Sequence, residues 1–327
     1  MNVAVIGGSG FIGTRLVRRL IESGHRVIIC DKRPSIVYPD LYVYVDVCLP
    51  DTLWEPLAGS DVVINLAAEH RDDVTPRSRY DLVNVNGAEN VCDACIHLGI
   101  KKIIFTSSVA VYGFSPFPTD ECGKINYFND YGRTKWLAEE VYRSWLRKNQ
   151  DHSLTIIRPT VVFGEQNRGN VYNLLKQIVY GPFFMVGSGK NVKSMAYVEN
   201  VAAFIEYCLN NPPGEHLFNY VDKPDFDMNS LVHYVCNLLN KPEKIMHIPY
   251  SIGYLGGLCF DLVSIVTRKK FPISSIRVKK FCSNTIFESN NIKSTQFIPP
   301  ISIYEGLEKT IKYEFIDKVS GEVFLTE

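Results

Sequence analysis

The sequence has no surplus of charge of either sign. Its 327 residues carry 35 lysines and arginines against 35 aspartates and glutamates, which gives no reason to expect nucleic acid as a partner. It has no cysteine framework either: nine cysteines are scattered without framework spacing, as suits reduced thiols in a cytosolic compartment. Cys92 and Cys95 form a lone C-x-x-C inside an apolar, helix-like run. Structural zinc usually needs four ligands, so these read as small buried residues and no metal is expected. No repeat or low-complexity tract occurs, and Val3 to Ile6 run straight into glycines, which is not a signal-peptide pattern. With 46% hydrophobic residues, the chain suffices for one large or two modest domains.

What is present begins with a β-type run (residues 2–6), then Gly7-Gly8-Ser9-Gly10-Phe11-Ile12-Gly13, then a helical pattern to Gly24. Strand, glycine turn and helix in that order suit a diphosphate resting on amides at a helix N-terminus; a tight turn without ligand is the alternative. The next strand (26–30) ends at Asp31, an acid about 20 residues after the loop that can accept from ribose hydroxyls and repel a 2′-phosphate. That favours NAD over NADP, although Lys32 and Arg33 follow. A third strand (41–45) ends at Asp46, placed to contact an adenine edge. A fourth (61–66) runs into Ala67 and Ala68, small enough for close cofactor approach.

The charged loop Glu69-His70-Arg71-Asp72-Asp73 follows at a strand's carboxyl end, where open α/β sheets bind ligands; a solvated loop is the other reading. After a helix containing Asn86 and a strand over 102–105 comes Thr106-Ser107-Ser108-Val109-Ala110-Val111-Tyr112-Gly113. Ser108, just past a strand end, can hydrogen-bond a substrate oxygen. Tyr131 and Lys135 stand at i and i+4, on one helix face. A free phenol has a pKa of about 10. A neighbouring ammonium lowers it and makes the tyrosine a general base.

These stretches, in this order, resemble the extended short-chain dehydrogenase/reductase family, and the resemblance continues through RPTVVFG (158–164) and KSMAYVENVA (193–202). It implies a doubly wound parallel Rossmann-type α/β sheet, with an NAD domain over 1–163 to which 191–212 returns. The remainder of 164–327 would be mainly a smaller substrate domain. It implies Ser108, Tyr131 and Lys135 as catalytic residues. NAD contacts are implied at Gly7, Gly10, Phe11, Ile12, Gly13, Asp31, Asp46, Val47, Leu66, Ala67, Ala68, Tyr131 and Lys135. Within the family, AAEHRDD, NRGNVYNLLKQI and VKKFC resemble the branch that inverts C4 of N-acetylglucosamine carried on undecaprenyl diphosphate, for O-antigen assembly. A soluble UDP-sugar 4-epimerase and a dehydrogenase or reductase that releases its product are the alternatives. A homodimer is compatible with the family.

Departures bear on the substrate. Lys193 stands where sugar-nucleotide epimerases usually carry arginine, and Arg277-Val278-Lys279-Lys280 where they carry an R-x-G-D-like stretch. A lysine is a point charge rather than a bidentate fork, so a diphosphate would be held differently. Val109-Ala110 replaces the Asp-Glu pair of dehydratases, leaving water elimination without a catalyst. Substrate contacts are expected from His70, Arg71, Arg168, Lys193, Arg277 and Thr285, the last near the position that gates 2-acetamido sugars. Arg168 sits in Asn167-Arg168-Gly169-Asn170, either a diphosphate-facing nest or a plain helix cap. His233 reads as a packed or surface residue.

The one long apolar run is 248–267, with Asp261 its only charge. As a helix from Tyr254 it places Leu255, Leu258, Leu262 and Ile265 on one face and Asp261, Ser264 and Arg268 on another. Arg268, Lys269, Lys270, Arg277, Lys279 and Lys280 follow, with no acid between Leu262 and Phe287. Such a pair of features suits the surface of an anionic membrane, here the cytoplasmic face of the inner membrane. A core helix and a true span are the other readings.

Overall fold

The computed structural model describes residues 1–71, 74–115, 117–181, 183–243, 245–267, 274–319, 321 and 323–324, without the side chains of residues 265 and 266. Asp72 and Asp73 of the charged loop, and Arg268, Lys269 and Lys270 of the basic cluster, lie outside the described residues.

The first half lays down β1 (Asn2–Ile6), α1 (Phe11–Glu22), β2 (Arg26–Asp31), β3 (Tyr42–Tyr44), α2 (Trp54–Leu57), β4 (Val62–Asn65), α3 (Ser78–Tyr80), α4 (Gly87–Leu98), β5 (Lys102–Thr106), α5 (Asp130–Leu146) and β6 (Ser153–Pro159). There follow β7 (Val161–Phe163), α6 (Asn170–Tyr180), β8 (Phe183–Val186), β9 (Val192–Tyr197), α7 (Val198–Tyr207), β10 (Gly214–Tyr220), β11 (Asp222–Asp227) and α8 (Met228–Leu238). The last elements are β12 (Ile245–Ile248), α9 (Tyr250–Thr267), α10 (Ser275–Cys282), α11 (Asn290–Lys293) and α12 (Ile303–Ile311).

Seven strands form one parallel sheet in the order β10-β6-β5-β4-β1-β2-β3. The order reverses between β1 and β4, so the carboxyl ends of those two strands frame a crevice of the kind that binds ligands in open α/β sheets. Its central strands are apolar on both faces because helices cover both. Val3 and Val5 pack with Leu16, Leu20, Val201 and Phe204 on one side. Ala4 and Ile6 pack with Val91, Cys95, Ala138 and Tyr142 on the other. Cys92 and Cys95 belong to this second layer as free, buried thiols.

α7 packs against α1, and the sheet takes its edge strand from β10, beyond the 191–212 segment expected to return. A separate core built on Leu175, Leu231 and Leu307 holds β9, α6, α8 and α12 together. Here β11, β9 and β7 form a small sheet, and β12 pairs with β8.

The apolar run forms α9, but its contact face is not the leucine face. A Cβ on Gly253 would meet Val186 Cγ1 at 2.5 Å, and one on Gly257 would meet the Ser275 nitrogen at 2.7 Å. The Asp261 carboxylate accepts from the Ser275 amide at 3.1 Å, at the start of α10. These three residues, at i, i+4 and i+8, make the seam. Leu255 and Leu262 are each 65% exposed and Leu258 40%, so the aspartate is turned toward the contact and the leucines face out. No helix among the described residues is long and apolar enough to cross a membrane.

Candidate active site

α5 carries the central pair. It starts where Asn129 accepts from the Gly132 amide at 2.9 Å, a side-chain N-cap, and runs to Leu146. Gly132 is needed there, because a Cβ would meet the Ala110 carbonyl oxygen at 2.4 Å. That close approach sets Tyr131 beside the loop after β5, where its hydroxyl hydrogen-bonds with the Ser108 side chain. The Ser108 Oγ also accepts from the Ala110 amide at 3.1 Å. Lys135, one turn on, is buried with its Nζ 4.3 Å from the centre of the Phe105 ring.

The electrostatics differ from the expectation of a depressed phenol. Burial pushes Tyr131 up to about 12, with the Ser108 hydrogen bond pulling the other way. Burial brings Lys135 down to about 7, opposed by the charge of Glu139. Both groups are displaced toward their neutral forms, because burial penalises the charged form of each.

The loop after β4 is fixed to the same helix. The Asn84 amide accepts from the Glu69 amide at 2.8 Å and donates to the Glu69 carbonyl and to Thr134 Oγ1, each at 2.9 Å. Tyr80 donates its hydroxyl to the Arg71 carbonyl. His70 bonds the Ala68 carbonyl through Nδ1 at 3.3 Å, and its buried Nε2 has no hydrogen-bond partner among the described residues. Burial, reinforced by Lys135 nearby and opposed by the Ala68 bond, holds the imidazole below its usual value.

A dinucleotide fits the crevice on several observations. Gly7 has φ +79°, and a Cβ there would meet the Ala67 nitrogen at 2.9 Å; one on Gly13 would meet the Gly7 carbonyl oxygen at 2.5 Å. Gly10 begins α1 without a side-chain cap, which leaves its first amides for an anion. Ser9 Oγ, buried in the same turn, has no partner among the described residues. The Asp31 carboxylate accepts from the Ser9 amide at 3.1 Å and the Arg33 amide at 3.0 Å. Lys32, the residue that would welcome a 2′-phosphate, pairs instead with Asp46 at 3.1 Å. Ile12 is half-buried beside Phe11 at the start of α1. Val47 packs where a Cβ on Gly87 would touch it at 2.8 Å, and a Gly7 Cβ would come within 3.0 Å of the Leu66 carbonyl carbon. Phe11 instead turns toward the second core, its ring 5.9 Å from that of Phe324.

The expected substrate cations have local partners. Arg168 pairs with Glu314 at 2.7 Å and lies 4.2 Å over the Tyr172 ring. Lys193 donates to the carbonyls of Lys280 at 2.8 Å and Ser283 at 2.6 Å, closing the end of α10. Arg277 is exposed on α10, its amide capped by Ser274 at 3.3 Å. Thr285 bridges to Lys193, donating its amide to the Val192 carbonyl at 3.0 Å. His233 is exposed and bonds Glu243 at 3.2 Å.

Sequence reasoning missed Asn84, Ser107, Glu139 and Arg158. Glu139 had a signal, because it continues the i, i+4 register of Tyr131 and Lys135 by another turn. Asn84 had none: it lies in a π-helical turn, Asp81–Asn86, that shifts the register of its face.

Residues 3–219 match the NAD dependent epimerase/dehydratase family, and the chain belongs to it. Among its relatives, the N-acetyl-α-D-glucosaminyl-diphospho-ditrans,octacis-undecaprenol 4-epimerase of Escherichia coli O157:H7 is 51% identical over 329 residues, covering 100% of this chain and 99% of that protein. A UDP-glucose 4-epimerase of Vibrio cholerae is 28% identical, with 94% of each chain covered. In structure, the UDP-glucuronic acid 4-epimerase of Bacillus cereus, crystallised with NAD, shares the fold with a TM-score of 0.77 at 20% identity, over 98% of this chain and 100% of that one.

Proposed function

We propose that this chain interconverts the C4 epimers of N-acetylhexosamine carried on a lipid diphosphate, N-acetylglucosaminyl- and N-acetylgalactosaminyl-diphospho-undecaprenol, through a 4-keto sugar. The observation that carries the reading is the full-length 51% identity to the E. coli lipid-linked epimerase. The placement of Tyr131 beside the loop that carries Ser108, with Lys135 one turn on along α5, supports it.

The glycine turn and Asp31 would hold NAD, which when bound would supply reversible hydride transfer at the sugar C4. Tyr131 takes the proton from the sugar O4, directly or through Ser108, and gives it back after the ketone has turned. Burial, only partly offset by Ser108, holds the phenol at about 12, so ionisation requires positive charge at the ring; the protonated Lys135 supplies one such charge. Ser108 orients the O4 hydroxyl. The sugar rotates about its diphosphate linkage, so a grip on the anchor rather than on the ring hydroxyls suits the chemistry. No net oxidation results, and NAD stays bound.

The exposed apolar side of α9 supports a peripheral position on the cytoplasmic membrane face, where a lipid-carried substrate resides. The test is direct: purified protein is incubated with undecaprenyl-diphosphate-linked N-acetylglucosamine and, separately, with UDP-N-acetylglucosamine. Conversion of the lipid-linked sugar without consumption of NAD is the expected result. Turnover of the UDP-sugar alone would favour a soluble nucleotide-sugar epimerase, and stoichiometric NADH release would mark a dehydrogenase.

A further inference from the structure

The proton steps above leave unused a buried ion pair directly behind the reacting groups. Glu139 is fully buried on α5, one turn beyond Lys135 and two beyond Tyr131. Its carboxylate accepts from Ser107 Oγ at 2.5 Å, from Arg158 Nε at 2.8 Å and Nη2 at 2.5 Å, and from Arg143 Nη2 at 3.1 Å. Ser107 immediately precedes Ser108 and donates its amide to the Ile157 carbonyl at 2.6 Å, next to Arg158. Arg158 goes on to donate to Tyr112 Oη at 2.6 Å, and that hydroxyl donates to Asn219 Oδ1 at 2.8 Å. The network therefore joins α5, the loop after β5, β6 and β10.

Replacing a buried ion pair with apolar side chains of similar volume is often neutral or stabilising. Stability alone is then a weak reason for four charge-assisted bonds at this depth. We propose that Glu139 is the positioning carboxylate of the site: it ties the backbone presenting Ser108 to the helix presenting Tyr131 and Lys135, and it sets a fixed negative charge beside the Lys135 ammonium. The inference rests on the roles given to those three residues under the proposed function.

The ionisable groups around the pair are Tyr131 and Arg143 on α5, Arg158 on β6, Tyr112 after β5 and His70 after β4. Burial holds His70 below its usual range, so it is neutral near pH 7 and adds no charge. Arg158 stays cationic, because its bonds to Glu139 outweigh burial. Glu139 is the charge that opposes the desolvation of Lys135. Its loss lowers the pH at which Lys135 gives up its proton, and the alkaline limb of turnover falls with it.

The experiment is a pH titration of Glu139→Gln in the NAD-loaded protein, read two ways. Lysine labelled with ¹³C reports Lys135 by NMR, assigned by its disappearance in Lys135→Met, and kcat/KM is followed on whichever sugar the wild type converts. The Lys135 midpoint is expected to fall by about one pH unit or more, and the alkaline limb with it. Glu139→Asp should restore the limb but not kcat, since the shorter side chain keeps the charge and loses the reach to Ser107. Because Glu139→Gln strands a buried guanidinium, Glu139→Gln/Arg158→Met is made beside it. Ser107→Ala should lower kcat at least several-fold with the pH limb unmoved. A folded Glu139→Gln or double variant with a wild-type Lys135 midpoint overturns the electrostatic role, and wild-type kcat in Ser107→Ala overturns the positioning role. If the wild type converts neither sugar, the functional reading fails while the NMR titration still decides this one.

Discussion

The Lys135 ammonium lies 4.3 Å from the centroid of the Phe105 ring, on the same helix face as Tyr131. An aromatic face can hold a cation there while water is excluded, and the exclusion dominates: Lys135 falls to about 7 and Tyr131 rises to about 12. Tyr131→Phe, which keeps the ring and removes the ionisable oxygen, should lower epimerisation by ~10²-fold or more with NAD binding retained. Lys135→Met should move the acid limb of the rate profile to higher pH, since the phenol loses its neighbouring charge. Near-normal turnover in the first variant, or an unshifted limb in the second, would remove the base assignment.

The same lysine makes stability depend on pH. Its folded value of about 7 is below the ordinary lysine value of 10.5, so between these the unfolded chain binds more protons than the folded one. Stability then rises with pH through that window, and below pH 7 the full penalty of a buried ammonium applies. Urea denaturation of wild type and Lys135→Met should show the wild type gaining on the variant from about pH 7 toward 10. A constant difference across the window would mean that Lys135 is not desolvated as the structure places it.

Cofactor choice turns on Asp31 and on the Lys32–Asp46 pair at 3.1 Å, which occupies one of the two cations that follow Asp31. Asp31→Ala should weaken NAD and relax the rejection of NADP, because a ribose acceptor and a charge opposing the 2′-phosphate are both lost. The ratio of the two dissociation constants is the measurement. A wild-type protein that binds NADP as tightly as NAD would contradict the role given to Asp31.

How much of this was legible follows from which rules are local. The run from β1 through the glycines to α1 is set by neighbours in sequence, and so is the i, i+4 pairing of Tyr131 with Lys135. Pattern reading sends charges outward, however, and Glu139 and Arg158 are buried. Only the fold brings Arg158 on β6 against α5. The contact face of α9 was hidden for a related reason: the large apolar residues drew attention to the leucine face, whereas the small residues Gly253 and Gly257 with Asp261 make the contact. Arg168 was expected at a diphosphate from its place in a helix-opening nest and Lys193 from the family resemblance, and partners distant in sequence, Glu314 and the end of α10, hold them.

Thr285 bridges to Lys193, on the strip that continues into Phe287. Its side chain is small, so a bulky residue there should crowd a substrate's 2-acetamido group more than a hydroxyl. Thr285→Tyr is expected to impair N-acetylated substrates selectively relative to plain hexoses. Equal loss for both would indicate a packing defect instead.

The outward leucines of α9 bear on where the protein works. Leu255 and Leu262 are each 65% exposed and Ile252 62%, on a helix whose one charge is spent capping α10. An uncovered apolar strip with basic residues following it in sequence offers two attractions to an anionic bilayer, the basic residues adding about 1 kcal/mol each. Binding to vesicles containing anionic lipid should therefore exceed binding to neutral ones, and should fall at high salt through screening. Neutralising Lys269, Lys270, Lys279 and Lys280 together should weaken vesicle binding and lipid-linked turnover with NAD affinity unchanged. Leu255→Asp/Leu262→Asp adds charge only where the chain is already exposed, so the fold should persist by circular dichroism while sedimentation with vesicles is lost. A folded double variant that still sediments with anionic vesicles would show that α9 is not the surface that meets lipid.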